Sequence, residues 1–261
     1  MLLLQADDKK DKIMSNDIQL TFLGCGDAFG SGGRLNTCFY VNAPSSNFLI
    51  DCGASSLIAM QDHGLTSDHV DTILITHFHG DHYGGLPFLL LDAAKQRKRK
   101  EPLTIVTPET GQKRIRQLME LLYPGTSSVM DELDLRLKTY KAYQTVATDA
   151  LKVTGFPVIH SEEAYSHGLR IEVDDRVIGF SGDTCWTDEL KSIADSADLL
   201  VCECNFFNTV MPNHLDYRTL EEKLPRLSAR KIILNHLGDE MLANIDHVEL
   251  SCADDGMTIN M

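Results

Sequence analysis

Three histidines and one aspartate lie within six residues of the chain, at His77, His79, Asp81 and His82. They follow the apolar segment Asp71–Ile75, which predicts a β-strand. Side chains two residues apart in extended backbone point the same way, so His77 and His79 can converge on one cation. Asp81 and His82, just past the strand, can reach a second cation. Core packing does not require such a cluster beside an apolar strand, so the pattern indicates a metal site.

Ligand-type residues recur after three other predicted strands. His160, Asp183 and His236 each come just after a short apolar run of strand-like composition. Open α/β sheets place their sites at the carboxyl ends of strands, where loops from different strands meet. One such residue alone would carry little information. Four strand ends that deliver metal-binding side chains predict one shared centre.

The elements that must position these residues alternate between short apolar runs and amphipathic stretches, which predicts an α/β protein. The predicted strands are Ile18–Leu23, Thr37–Asn42, Asn47–Asp51, Thr72–Thr76, Leu103–Thr107, Leu135–Tyr143, Leu151–Val158, Leu169–Val173, Val177–Ser181, Leu199–Cys204 and Lys231–Asn235. The predicted helices are Ala54–His63, His82–Gln96, Pro108–Leu122, Trp186–Ala194, Tyr217–Leu227 and Glu240–Glu249. Thr107 and Pro108 are typical of the N-cap and first position of a helix. Because no fixed repeat or long Pro/Gly linker divides the chain, we expect one domain over residues 17–261, after a flexible tail of residues 1–16.

Charge and composition narrow the classes of partner. The net charge of −14 disfavours a long nucleic acid as the main partner, although it does not exclude one. The one basic run, Lys95–Lys100, has two interpretations: cations at a helix C-terminus, or a patch that faces phosphate. An apolar stretch of about 18 residues, as a membrane span requires, is missing from the sequence. The seven cysteines are odd in number and lack zinc-ribbon spacing, which favours reduced thiols and a cytoplasmic location.

The spacing of the first cluster resembles the His-x-His-x-Asp-His signature of the metallo-β-lactamase superfamily, and the resemblance extends from Ile18 to the end of the chain. The following Gly84–Leu86 and the upstream element Phe48–Gly53 are also similar to that pattern. The resemblance implies a four-layer αβ/βα sandwich of two mixed β-sheets with helices outside. It further implies two divalent metal ions per chain. Zinc is the first choice, with manganese and iron as alternatives because they accept the same ligands.

By position, the resemblance implies seven metal ligands. One metal would take His77, His79 and His160. The other would take Asp81, His82 and His236. Asp183 would bridge the two ions, while Asp51 would orient ligands without binding metal itself.

Three features distinguish branches of the superfamily. The flavodiiron branch, which reduces oxygen or nitric oxide, has a glutamate where this chain has His79, so a hydrolytic ion is favoured here. Glu203, within the strand-like run 199–206, resembles a catalytic glutamate of the tRNase Z branch. Asn213 and His214 resemble an element of that branch and, more closely, of the cyclic phosphodiesterase of phosphonate breakdown. Lactamases and thioesterases of the superfamily do not need this Glu–His pair.

A phosphodiesterase has a chemical use for each of these residues. Two cations hold a bridging water, lower its pKa towards neutrality and aim the resulting hydroxide at phosphorus. The departing alkoxide must be protonated, and His214 is the candidate general acid, with Glu203 stabilising its imidazolium form. Asp81, besides binding metal, could orient the nucleophile or accept its proton. Ser166 and His167 could contact a substrate phosphate or belong to an ordinary loop.

The leading hypothesis is therefore a dinuclear metal-dependent phosphodiesterase that cleaves a small or cyclic, nucleotide-like phosphodiester. One alternative is a tRNase Z-like endoribonuclease without the substrate arm, since only residues 161–182 separate His160 from Asp183. Further alternatives are a thioester or lactone hydrolase and a non-catalytic metal-binding scaffold. Members of this branch often form dimers, so a homodimer is compatible with the sequence. The fold alone does not decide among these functions.

Overall fold

Two seven-stranded β-sheets face each other in the computed structural model, which describes residues 17–261. The first sheet contains β1 (Gln19–Gly24), β2 (Cys38–Asn42), β3 (Asn47–Ile50), β4 (Thr72–Leu74), β5 (Leu103–Thr107), β6 (Leu135–Thr139) and β14 (Thr258–Asn260). The second contains β7 (Thr145–Ala147), β8 (Leu151–Pro157), β9 (His167–Val173), β10 (Arg176–Phe180), β11 (Leu199–Glu203), β12 (Ile232–Asn235) and β13 (Ser251–Cys252). The predicted tail, residues 1–16, lies outside the described residues.

Each sheet is mixed. The first has the order β14-β1-β2-β3-β4-β5-β6, antiparallel from β14 to β3 and parallel from β3 to β6. The second has the order β13-β12-β11-β10-β9-β8-β7, parallel from β13 to β10 and antiparallel from β10 to β7. The parallel strands of both sheets send their carboxyl ends to one edge of the sandwich, where their loops can meet.

Helices cover the outer face of each sheet. They are α1 (Ser56–Asp62), α2 (Gly80–Tyr83), α3 (Leu86–Leu91), α4 (Gly111–Leu122), α5 (Glu189–Ala194), α6 (Tyr217–Lys223) and α7 (Asp239–Ala243). Apolar residues of α1, α3 and α4 share a core with the first sheet, and those of α5, α6 and α7 share one with the second. A third core lies between the sheets, where the rings of Phe39 and Phe180 meet at 5.1 Å. The layers run helix, sheet, sheet, helix, which confirms the predicted αβ/βα sandwich.

Strand β11 shows how the two-residue periodicity of the sequence aims a polar side chain at the edge of the sandwich. Leu199 and Val201 pack in the core between the sheets, and Leu200 and Cys202 pack beneath the helices. Side chains alternate along a strand, so Glu203, the last residue of β11, falls on the inner side, where the apolar core ends.

Most predicted helices differ from the structure in their bounds. Those expected over Trp186–Ala194, Tyr217–Leu227 and Glu240–Glu249 are shorter, as the bounds of α5, α6 and α7 show. The helix expected over His82–Gln96 is divided into α2, α3 and a π-helical turn at Asp92–Arg97. Pro87, which has no N–H to donate, lies in the first turn of α3 and favours a new helix start there. The helix expected from Pro108 begins at Gly111, because Thr110 has left-handed backbone with φ of 75°. The short strands β7, β13 and β14 are too brief to show an alternating pattern and were missed.

Candidate metal centre

All seven predicted ligands lie together at the edge of the sandwich. His77, His79, His160 and Asp183 form one group, and Asp81, His82, Asp183 and His236 form a second. Within each group the candidate ligand atoms lie within 4.8 Å of one another. Asp183 belongs to both groups, as expected of a bridging residue. The residues come from both sheets, so the site is assembled only when the sandwich forms.

The first cluster is positioned by the end of β4 and by the carboxylate of Asp51. Asp51 accepts hydrogen bonds from Thr76 N and Thr76 Oγ1, both at 2.8 Å. It also accepts one from His82 Nδ1 at 2.6 Å. Thr76 Oγ1 in turn lies 3.0 Å from His77 Nδ1. With their Nδ1 atoms engaged in this way, His77 and His82 present Nε2 lone pairs to the centre, the arrangement that carboxylates impose on metal-binding histidines.

Close backbone contacts fix the turn that carries Asp81 and His82. A Cβ atom at Gly53 would collide with the carbonyl oxygen of Asp81, and one at Gly85 would collide with that of Gly53. The two segments are further joined by hydrogen bonds from Cys52 N to His82 O at 2.7 Å and from Gly85 N to Cys52 O at 2.8 Å. The glycines of the sequence motif are thus required by packing around the centre.

The ligands from the second sheet are also held by their neighbours. His160 Nδ1 donates to the carbonyl oxygen of Asn213 at 2.8 Å, which leaves Nε2 directed to the centre. His236 Nε2 lies 3.3 Å from both Asp81 Oδ2 and Asp183 Oδ2. The backbone of His236 is left-handed, with φ of 59°, and Asn205 Nδ2 donates to its carbonyl oxygen at 3.0 Å. A non-glycine residue in this conformation is strained and is found mainly where function requires its direction.

Buried atoms at the centre call for a cation. His77 Nε2, His82 Nε2 and Asp183 Oδ1 are fully buried and have no hydrogen-bond partner among the described residues. Buried polar atoms without partners are costly, whereas two divalent ions, one in each group, would satisfy all three atoms. The donor set of imidazoles and carboxylates matches zinc, and also manganese or iron. These residues therefore fit two metal ions.

Electrostatics at the centre support the same interpretation. Burial lowers the pKa of His77 well below its usual value and that of His160 to about 4, so both are neutral, as a metal ligand must be. Burial alone would lower the pKa of His236, but Asp183 and Asp81 outweigh it and raise the pKa to about 9. The carboxylates thus stabilise positive charge strongly at this position.

Glu203 and His214 form a third group, which shares His236 with the second. The Glu203 carboxylate is fully buried, and each of its two oxygens lies 3.2 Å from His214 Nδ1. It also accepts hydrogen bonds from the backbone N–H groups of Leu215 and Thr184. Burial opposes the charge of His214, yet the hydrogen bond to Glu203 prevails and raises the His214 pKa. The protonated form of the imidazole is therefore more favourable here than in a free histidine.

The ring of His214 stands over both metal-binding groups. Its centroid lies 4.7 Å from that of His160 and 5.5 Å from that of His236. Because Nδ1 is engaged by Glu203, Nε2 is the nitrogen that can hold a transferable proton. A proton donor is thus brought beside a centre that could bind a phosphate oxygen.

Ser166, His167 and the basic run make local contacts away from the centre. Ser166 Oγ donates to Ser161 O at 3.1 Å, and His167 Nδ1 donates to Tyr165 O at 2.7 Å, so both side chains brace their loop. In the basic run, Arg99 is only 5% exposed and donates to three backbone carbonyl groups, while Lys95 pairs with Glu132 at 2.6 Å. The structural interpretation of Lys95–Lys100 is the better supported one.

Two residues that support the centre, Thr76 and Asn205, were not singled out from the sequence, and neither was the role of the Asn213 backbone. Thr76 links Asp51 to His77, Asn205 holds His236, and the carbonyl group of Asn213 fixes His160. Thr76 and Asn205 each lie two residues past the end of a strand, and this position was the available signal. The role of the Asn213 backbone depends on a contact between distant loops, which the sequence does not encode locally.

The sequence of this chain is similar to those of several known proteins. Residues 18–252 match the family model described as "Anti-Pycsar protein Apyc1". The Apyc1 protein of Bacillus phage 010DV004 is 28% identical over 246 residues, covering 87% of this chain and 92% of its own length. A ribonuclease Z of Methanococcus maripaludis strain C6 is 31% identical over 153 residues, covering 59% of this chain and 49% of the relative. The chain thus spans about half the length of that ribonuclease Z.

A solved structure confirms the fold. The metallo-β-lactamase fold protein YhfI from Bacillus subtilis superimposes with a TM-score of 0.75 at 20% identity, covering 95% of this chain and all of that one.

Among the described helices, none combines the length and apolar character that crossing a bilayer would require.

Proposed function

Because the chain belongs to the Anti-Pycsar protein Apyc1 family, within the metallo-β-lactamase fold, we propose that it hydrolyses a small cyclic phosphodiester of the nucleotide class. Relatives that include ribonuclease Z support hydrolysis at phosphorus. The observation that carries the proposal is the Glu203–His214 pair, which holds a proton donor over two adjoining groups of metal-binding side chains.

The proposed metal ligands are His77, His79, His160 and Asp183 at one position, and Asp81, His82, Asp183 and His236 at the other. When bound, two divalent ions would activate a water molecule and neutralise charge on the phosphate oxygens. Asp51, through Thr76 and His82, keeps the imidazoles in the tautomer that presents Nε2. Asp81, at 8% exposed, is the most exposed member of the second metal-binding group, so it is the member placed to orient the attacking water as well.

His214 would protonate the leaving group, a step that the metal ions do not perform. Cleavage of a cyclic phosphodiester releases an alkoxide, which is a poor leaving group until it is protonated. With Nδ1 hydrogen-bonded to Glu203, His214 donates its Nε2 proton to the departing oxygen. Glu203 holds the ring in position and stabilises the imidazolium before transfer.

The similarity to ribonuclease Z favours a second candidate, an endoribonuclease. Against it, residues 161–182 are occupied by a turn and by the β9–β10 hairpin of the second sheet. This segment therefore offers no projection that could grip a structured RNA. The acidic balance of the chain, with a net charge of −14, also opposes binding to a polyanion.

The proposal is tested with purified protein loaded with zinc or manganese. We expect hydrolysis of nucleoside 3′,5′-cyclic monophosphates to the corresponding nucleotides, and weak or no cutting of structured RNA at 150 mM salt. Failure to cleave any cyclic nucleotide, with two metal ions measured per chain, would contradict the proposal. Endonucleolytic cutting of RNA that falls steeply with salt would support the second candidate instead.

A further inference from the structure

Exposed apolar side chains are concentrated around the metal centre. Nine large hydrophobic residues are exposed among the described residues, and four lie on segments that border the site: Phe29, Ile159, Val210 and Met211. Phe29 is 92% exposed, and Val210 is 76% exposed. A large aromatic ring held in water gains free energy from any apolar partner, so such a ring beside a reactive centre suggests a ligand surface.

The loop that carries Phe29, residues 25–36, begins and ends close to the metal centre. At one end, the carbonyl oxygen of Cys25 accepts a hydrogen bond from His236 N at 3.1 Å. At the other, the side chain of Asn36 packs against Gly53, the glycine that also touches Asp81. One end of the loop thus contacts His236 directly, and the other end reaches Asp81 through Gly53.

The loop is rigid enough to present Phe29 in one orientation. The buried carboxylate of Asp27 accepts hydrogen bonds from Phe29 N at 3.1 Å, Ser31 N at 2.9 Å and Ser31 Oγ at 2.8 Å. Gly30 and Gly32 have left-handed backbone, each with φ of 66°, which turns the chain back after Phe29. A pre-ordered aromatic ring loses little entropy on binding a ligand.

A second loop, residues 207–214, contacts helix α7, which also contacts the first loop. Glu240 in α7 accepts hydrogen bonds from Asn208 N at 2.9 Å and Thr209 N at 3.2 Å, and so holds the segment that displays Val210 and Met211. Helix α7 also meets the first loop, since Leu242 Cδ1 lies 2.7 Å from where a Cβ at Gly32 would be. The second loop ends at His214, the proposed proton donor.

We propose that Phe29, with Val210 and Met211, forms an apolar clamp that receives the heterocyclic base of a nucleotide substrate while its phosphodiester lies at the metal centre. The proposal rests on the proposed function and adds a binding site for the base. Aromatic rings stack on nucleobases and recognise their flat apolar faces. Neither loop places a charged side chain at these three positions, which suits an uncharged base and leaves the phosphate to the metals.

The test compares Phe29→Ala and Phe29→Trp with the wild type on two substrates. One is a nucleoside 3′,5′-cyclic monophosphate, and the other is methyl riboside 3′,5′-cyclic phosphate, which has the same phosphodiester but no base. For the nucleotide we expect Phe29→Ala to raise KM by about 10-fold, within the range for loss of one base–aromatic stack, with kcat nearly unchanged. KM for the base-free substrate should not change, and Phe29→Trp should restore binding of the nucleotide.

Leu121→Ala is the matched control, because Leu121 is 77% exposed on α4, on the outer face of the first sheet. It should leave both KM values unchanged. A Phe29→Ala variant with equal kinetics to the wild type on both substrates would overturn the clamp alone. A wild-type protein that cleaves neither substrate would overturn the proposed function and the clamp together.

Light scattering on the same samples tests the other occupant of this surface, a second copy of the chain. If Phe29→Ala lowers the molar mass and weakens both substrates equally, Phe29 belongs to a subunit interface and the clamp is wrong. Unchanged mass with a selective loss on the nucleotide supports it.

Discussion

The candidate site has two parts that are built in different ways. One is its buried floor, formed by His77, His82 and their partners Thr76 and Asp51, and the other is the loop that carries His214. On the floor, the side chains of His77 and His82 are fully buried, and hydrogen bonds through Thr76 and Asp51 fix them. In the loop, the His214 side chain is 19% exposed, and its ring is fixed through one partner, Glu203. The difference suggests a division of work. In the proposed function the floor would hold the metal ions, with side chains fixed by a connected set of hydrogen bonds, whereas the loop would supply the proton.

The largest effect should come from the residue shared by both metal-binding groups. Asp183→Asn removes a charge that faces His77, His82, His160 and His236, and it leaves a neutral amide where two ions would need a carboxylate. We expect loss of both metals and a fall in kcat of more than about 10⁴-fold, beyond what removal of one proton donor causes. Elemental analysis after dialysis, together with kinetics, measures both. If the Asp183→Asn variant keeps both metal ions, Asp183 is not a ligand that the two ions share.

A smaller effect should follow removal of the proton donor. His214→Ala should lower kcat for a cyclic nucleotide by roughly 10²–10⁴-fold, because the alkoxide then departs without a proton. Metal content should equal that of the wild type, because His214 is not a predicted metal ligand and its substitution leaves in place the Asn213 carbonyl group that holds His160. Leu121→Ala again serves as the control for a neutral surface change. Loss of metal from the His214 variant would show that loop and floor are one unit.

Removing a support of the floor should have an intermediate to small effect. Asp51→Asn weakens the hydrogen bonds that orient His82 and Thr76 but removes no predicted ligand. A reduction of about 10- to 100-fold in metal affinity is expected, as for other partners of metal-binding histidines. Competition with a chelator of known affinity measures it. Affinity equal to that of the wild type would mean that the histidines are oriented by packing alone.

The smallest effect concerns pH. The proposed function requires the acid form of His214, so kcat should fall as pH rises through its raised pKa. Glu203→Gln removes the negative charge that stabilises the imidazolium, which lowers the His214 pKa, so the falling limb should move to lower pH. A pH–rate profile at constant ionic strength shows the displacement. If the falling limb of the Glu203→Gln profile stays at the wild-type pH, the group that titrates is not His214.

The sequence predicts the floor far better than it predicts the surrounding loops. His77 and His79 lie two residues apart just past β4, so the geometry of extended backbone predicts their convergence. Asp81 and His82 follow them closely, and the strand ends indicate His160, Asp183 and His236. The helix expected over His82–Gln96 is broken where Pro87 favours a new start and where Gly85 packs against Gly53. The contact with Gly53 is tertiary, so local propensity does not report it. Phe29 could not be found in advance either. Its exposure depends on a loop whose course is set by buried Asp27 and by contacts with α7.

The central claim is that His214 protonates an alkoxide at a metal centre that functions independently of it. The most direct measurement compares His214→Ala with the wild type on a cyclic nucleotide and on bis(p-nitrophenyl) phosphate, whose leaving group departs without help. We predict that the variant loses roughly 10²–10⁴-fold in kcat on the cyclic nucleotide and stays within a few-fold of the wild type on the activated diester. Equal losses on both substrates would contradict the account, because His214 would then act on metal binding or on attack and not on the leaving group.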